Sequence, residues 1–128
     1  MAMMMNDETT MQVDRLFVYG TLKAGQWNDA FLRGAELLGA GKTEPKWNLV
    51  DLGAYPAMTY GHTAVLGEVY RVDADHMRHI DRLEGFPKHY TRNVLDITLS
   101  DGTVVSAWAY HIPHLAGTAK QEQKGVWP

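Results

Sequence analysis

Cysteine is absent from this sequence, and with it go disulfides, thiolate nucleophiles and cysteine-ligated zinc. No apolar run approaches the roughly 20 residues that a membrane-spanning helix needs. Charge of one sign is not in large excess either: 12 Lys and Arg stand against 15 Asp and Glu, for a net charge of -3. With no Lys/Arg cluster there is no face for a phosphate backbone or an anionic membrane, so neither nucleic acid nor membrane is an expected partner. A cytoplasmic location is the expectation that fits a chain without cysteine.

What is present is ordinary globular composition, 45% hydrophobic and 21% charged over 128 residues. That length supports one hydrophobic core, burying about two-thirds of the surface an unfolded chain exposes. Residues 1–12, with no basic residue and no sustained apolar run, are expected to be a loose leader and neither a signal peptide nor a span. Residues 13–113 form the expected domain, and 114–128 a polar tail.

Arg15-Leu-Phe-Val-Tyr19 is a short β-prone run that stops at Gly20 and enters a loop reaching Gly25. Asn28 offers an N-cap for a short helix with Ala30, Phe31 and Leu32 turned inward, ended by Gly34. Two β-like stretches between Glu36 and Leu52 flank Pro45, which cannot donate to a ladder. Gly53 to Ala57 reads as a loop. Thr63 to Val72, apolar on both faces, reads as a central strand. Asp73 is a candidate N-cap for a helix from Ala74 to about Glu84, stopped by Gly85. Tyr90 to Leu99 and Thr103 to His111 are joined through Ser100-Asp101-Gly102, a hairpin signal. Hairpins with one substantial helix among them predict a small mixed α+β domain built on a curled or closed sheet.

Several tempting motifs fail. Gly41-Lys42-Thr43 lacks the upstream glycine of a phosphate-binding loop, and Pro45 stands where its helix would run. Gly39-Ala-Gly41 meets Glu44 where a dinucleotide fingerprint needs its third glycine. His76/His79 and His111/His114 invite a metal, but His79 falls opposite Met77 on the wheel and no HExxH or facial triad supports a centre. No Gly-x-Ser-x-Gly elbow is present.

Two constellations remain. At about 100° per residue, with Met77 as zero, Ile80 lies near 300°, Leu83 near 240° and Glu84 near 340°. Glu84 therefore sits within the apolar stripe, while Asp75, Arg78 and Arg82 lie opposite. An inward carboxylate at a helix C-terminus is costly unless paired or useful, and both desolvation and the helix dipole would raise its pKa toward the range of a general acid/base. The plainer reading is a frayed last turn or an ion pair with Arg92 or Arg82. The second constellation is the glycine-flanked loop from Tyr19 to Gly25, whose N–H groups could cradle a carboxylate or oxyanion. Its plainer reading is a simple loop.

Tyr19-Gly20-Thr21-Leu22-Lys23, Asp81-Arg-Leu-Glu84-Gly85 and Tyr90-x-Arg92 together resemble the signature of the gamma-glutamylcyclotransferase-like family, which includes gamma-glutamylamine cyclotransferases. Gly53-x-Tyr55-Pro56-Ala57, Gly67-Glu68-Val69-Tyr70 and Trp108-x-Tyr110 match in the same order, so the resemblance spans about 16–111. It implies a small β-barrel with flanking helices, no cofactor and no metal, and release of 5-oxoproline from a gamma-glutamyl compound. It further implies that Glu84 is the catalytic carboxylate and that Tyr19, Gly20, Thr21 and Leu22 form the substrate loop. Tyr90, Arg92 and Tyr110 fall at pocket-proximal, substrate-binding positions. Ala24 and Asp29 depart from the residues expected after the loop. A non-catalytic binder of gamma-glutamyl or similar metabolites, or an interaction domain on the same barrel, would share this pattern. The leaving amine, with glutathione among the candidate substrates, and the oligomeric state are not encoded legibly.

Overall fold

In the computed structural model of the protein, residues 13–26, 28–53, 55–113 and 120–122 are described. In chain order they form β1 (Arg15–Val18), a 3-10 turn (Asp29–Leu32), β2 (Glu36–Thr43), β3 (Trp47–Asp51), β4 (Pro56–Tyr60), β5 (Leu66–Arg71), α1 (Ala74–Glu84), β6 (Thr91–Leu99), β7 (Val104–His111) and β8 (Lys120–Glu122). Five strands close a barrel in the order β1-β5-β2-β6-β7. Every pairing in it is antiparallel except the closing one, where β1 runs parallel to β7 with Leu16 opposite Trp108. A second sheet carries β4-β3-β8. This is the mixed α+β, closed-barrel architecture that the hairpins predict.

Strand periodicity explains where the core lies. Alternate residues of β1 face opposite sides of the sheet. Phe17 and Tyr19 join Trp47, Leu49, Met58, Val69, Ile97, Ala107 and Ala109 in one buried cluster. Leu16 and Val18 join Tyr70, Val72 and Tyr110 in the other, which α1 covers with the fully buried Ile80. Burying a side chain of that size is worth roughly 1.5–3 kcal/mol, enough to hold the helix in register against the barrel.

The ends of α1 are set locally. The Asp73 carboxylate accepts the His76 N–H at 2.8 Å while His76 Nδ1 accepts the Asp73 N–H at 3.2 Å, a reciprocal capping box. Gly85 ends the helix in the left-handed region at φ 67°, where an L side chain is disfavoured. His76 Nε2 lies 3.0 Å from the Arg33 carbonyl. Both of its ring nitrogens are thus engaged, and among the described residues no three His, Cys, Asp or Glu side chains form a metal-binding group. No helix among them is long and apolar enough to cross a membrane.

Three sequence expectations are corrected. Asn28 makes no side-chain cap and the segment after it is one 3-10 turn, with only Leu32 buried while Ala30 and Phe31 face solvent. The Asn28 amide instead donates to Thr21 Oγ1 at 2.9 Å, and Gly25 and Gly34, at φ 83° and 84°, bracket a stretch too short for a stable α-helix. The presumed loop from Gly53 to Ala57 contains the start of β4. Pro56 takes the first strand position, opposite Asp51, where a missing N–H is tolerated. Regular pairing of the next strand begins at Leu66, with Thr63 held by a single bridge to Trp47. Residues 120–122 of the tail pair with β3 from Leu49 to Asp51. The leader and the rest of the tail, His114 included, lie outside the described residues.

Candidate active site

The end of β1, the loop after it, the start of β4, the C-terminus of α1 and β7 converge on a cavity of about 330 Å³. Its wall includes Tyr19, Gly20, Thr21, Leu22, Glu84, Tyr90 and Tyr110. Seven of the eight residues singled out from the sequence therefore share one concavity.

Glu84 is the last residue of α1, and the chain turns back at once: the Tyr90 N–H donates to the Glu84 carbonyl at 3.3 Å. Its side chain is half-buried, and that burial pushes the carboxyl from the ordinary carboxylate range up to about 7. The alternative of an ion pair is not realised. Arg92 binds Asp81 in a two-pronged pair, Nε to Oδ1 at 2.8 Å and NH2 to Oδ2 at 3.2 Å, and Arg82 faces solvent. Among the described residues Glu84 has no ion-pair partner.

The loop is pinned from outside. Lys23 N–H donates to the Gly20 carbonyl at 3.0 Å and Asn28 N–H to the Thr21 carbonyl at 2.8 Å. Glu68 Oε1 accepts the Ala24 N–H at 2.9 Å, and Asp29 Oδ2 accepts the Gly25 N–H at 3.0 Å. Asp29, one of the two departures from the family pattern, thus buckles the loop onto itself. Among the described residues the N–H groups of Thr21 and Leu22 have no acceptor. Gly20 does not need a positive φ; its role is steric, since a Cβ there would come within 2.8 Å of the Pro56 ring.

Three phenols surround the carboxylate. Tyr19 Oη donates to the Tyr110 carbonyl at 2.7 Å and accepts the Met58 N–H at 3.0 Å. Tyr90 Oη donates to the Pro56 carbonyl at 2.7 Å, and Tyr110 Oη donates to Asp81 Oδ1. Burial raises the pKa of all three, and the negative charge of Glu84 adds to the effect at each.

Arg92 is the exception among the expected site residues. It does not line the cavity; its guanidinium lies between the rings of Phe86 and Trp108, 4.7 and 4.3 Å from their centroids, and its charge is spent on Asp81. Asn28, Leu83 and His89 also line the cavity, with no sequence pattern to mark them, as do Tyr55 and Pro56 from the segment expected to be a loop. His89 Nε2 lies 3.3 Å from Tyr55 Oη at the mouth, a contact between positions 34 residues apart that no local pattern encodes. The Tyr55-Pro56 pair inside a resembling motif was the available signal for that wall.

Comparison with known proteins extends this picture. Residues 16–128 match the model of a family described as gamma-glutamyl cyclotransferase, AIG2-like. A relative from Vibrio cholerae is 41% identical over 95 residues, 74% of this chain and 78% of that protein. The gamma-glutamylcyclotransferase family protein YtfP of Escherichia coli is 32% identical over 113 residues, 88% of this chain and 95% of its own. Among solved structures, an AIG2-like protein from Mus musculus superposes with a TM-score of 0.74 at 31% identity, covering 80% of this chain and 79% of that one.

Proposed function

Because this chain belongs to the gamma-glutamyl cyclotransferase, AIG2-like family, we propose that it is an enzyme that cyclises a gamma-glutamyl amide, releasing 5-oxoproline and a free amine or amino acid. The observation that carries this reading is a half-buried carboxylate, Glu84, held near pKa 7 in a cavity also lined by Thr21 and Leu22, whose N–H groups have no acceptor among the described residues.

In a gamma-glutamyl amide the α-amine is tethered to its target, the side-chain carbonyl, and closes a five-membered ring. The protein has mainly to fold and orient the substrate, an advantage that can be worth several kcal/mol of barrier. Glu84 takes one proton from the α-ammonium, so that the nitrogen lone pair can attack the γ-carbonyl carbon. The C–N bond to the leaving amine then breaks as Glu84 returns that proton to the departing nitrogen. The second proton lost by the attacking nitrogen leaves with the amine or passes to water. A pKa near 7 suits both directions of transfer at neutral pH. The N–H groups of Thr21 and Leu22 supply donors for the substrate carboxylate or the tetrahedral oxyanion.

Incubating pure protein with a panel of gamma-glutamyl amines and dipeptides, glutathione included, and measuring 5-oxoproline tests this directly. Product from at least one member is the expected result; binding without product across the panel would favour a non-catalytic binder.

A further inference from the structure

Hydrogen-bond direction around the cavity is fixed by chemistry. A backbone carbonyl and an ionised carboxylate can only accept, so each phenol that meets one must give up its single proton to it. Tyr19 gives its proton to the Tyr110 carbonyl, Tyr90 to the Pro56 carbonyl and Tyr110 to Asp81. None of the three has a proton left to point at a ligand. For Tyr19 the oxygen is also occupied by the Met58 N–H, whereas Tyr90 and Tyr110 retain lone pairs. Near Glu84 the three phenols therefore offer oxygens and no protons, while the loop residues Thr21 and Leu22, which also line the cavity, carry N–H groups without an acceptor among the described residues.

The Tyr110 arrangement is the one that is built at a distance. Asp81 lies one helical turn before Glu84, on α1. Arg92 from β6 binds both of its oxygens and is itself clamped between Phe86 and Trp108. Arg92 and Asp81 are both largely shielded, with side-chain exposures of 19% and 23%, so the pair has little freedom to re-aim. Two-pronged Arg–carboxylate geometry fixes orientation as well as energy.

We infer that Asp81, locked by Arg92, is a positioning residue that draws the Tyr110 proton away from the cavity and so makes the phenol oxygen an acceptor for the substrate's α-ammonium beside Glu84. The zwitterionic end of the ligand is then read by polarity: carboxylate toward the donor-rich loop, ammonium toward Tyr110, Tyr90 and Glu84. The attacking nitrogen is thereby placed against the base that deprotonates it. This assignment rests on the gamma-glutamyl reading of the site, but it is tested apart from turnover.

The probes are L-methionine sulfone, whose sulfone stands where the γ-carbonyl would be yet cannot be cyclised, and its des-amino counterpart. Dissociation constants for both are measured on wild type, Tyr110→Phe and Asp81→Ala, with thermal midpoints on the same preparations. A hydrogen bond to a charged group makes a preference of roughly tenfold or more for the amine-bearing probe the expectation in wild type. Both variants should lose most of that ratio while binding the des-amino probe nearly as before. If Asp81→Ala does not fold, Asp81→Asn, whose amide can donate to the phenol oxygen and occupy it, takes its place with the same expected loss of the ratio. An unchanged ratio in Tyr110→Phe, equal weakening of both probes, or no preference in wild type would overturn the assignment. Release of 5-oxoproline with the ratio intact in Tyr110→Phe would keep the reaction and remove the subsite. Discrimination between the probes without any 5-oxoproline would keep the subsite and remove the reaction.

Discussion

At the scale of single residues, Glu84 makes opposite demands on stability and activity. Its folded pKa of about 7 lies above that of an unfolded glutamate, so the protonated form favours the fold. That contribution is complete below about pH 4 and is lost as pH rises through about 7. Glu84→Gln should therefore melt above wild type at pH 8, by on the order of 1–3 kcal/mol, with the gap closing toward pH 4. The same variant should lose on the order of a hundredfold or more in turnover while still binding substrate. Wild-type kcat/KM should rise with pH through an acid limb near 7, and the residual activity of Glu84→Gln should lack that limb. A variant with near-wild-type turnover, or a limb that persists in it, would remove Glu84 from the proton transfer. This residue was legible because a helical wheel shows a carboxylate among apolar neighbours. Asp81 was not: the same wheel puts it near 40°, at the edge of the stripe beside Met77, but no local pattern shows its partners, and only the fold brings Arg92 and Tyr110 to it.

At the scale of elements, the loop and the helix end are both held by glycine, for different reasons. Gly20 needs its bareness because the Pro56 ring fills the space a Cβ would take. Gly20→Ala or Gly20→Val should push the loop off β4 and lower kcat/KM by tens to about a hundredfold, as misplacement of about 1 Å can. Unchanged kinetics in a folded variant would place the pocket elsewhere. Gly85 needs its left-handed φ, so Gly85→Ala should cost about 1–2 kcal/mol in a denaturation titration and loosen the turn carrying Glu84. The capped helix, its glycine stop and the β6–β7 hairpin could be read from sequence because each is specified by neighbours. β4 could not: Gly53 to Ala57 carries turn residues, and its strand exists only because β3 lies alongside. The 3-10 turn failed in the opposite sense, since the Asn28 amide that would cap a helix is claimed by Thr21.

At the scale of the molecule, two buried titratable groups pull stability in opposite directions. His111 is fully buried beside Trp47 and Tyr60, with no hydrogen-bond partner for either ring nitrogen among the described residues, and burial lowers its pKa. A histidine held neutral stabilises the fold above its unfolded pKa of about 6.5, and that contribution is lost as pH falls through the lower folded value. His111 should thus steepen the acid side of the stability profile and Glu84 the alkaline side. His111→Leu, which removes an unsatisfied donor, should flatten the acid side in thermal melts from pH 4 to 7; an unaltered slope would mean that another group governs it. The closure of the barrel bears on how the chain reaches this state. β1 is bounded by β5 and β7, and the Tyr19–Tyr110 hydrogen bond joins residues 91 positions apart. Closing so long a segment before any contact rewards it is entropically slow, and such topologies fold in roughly milliseconds to seconds. Because β7 follows β1 by so long a stretch of sequence, during synthesis β1 waits without one of its two neighbours. The loop after β1, which hangs from that strand, can take its final shape only once β7 has been made, so the two walls of the cavity are brought together by the closure of the barrel.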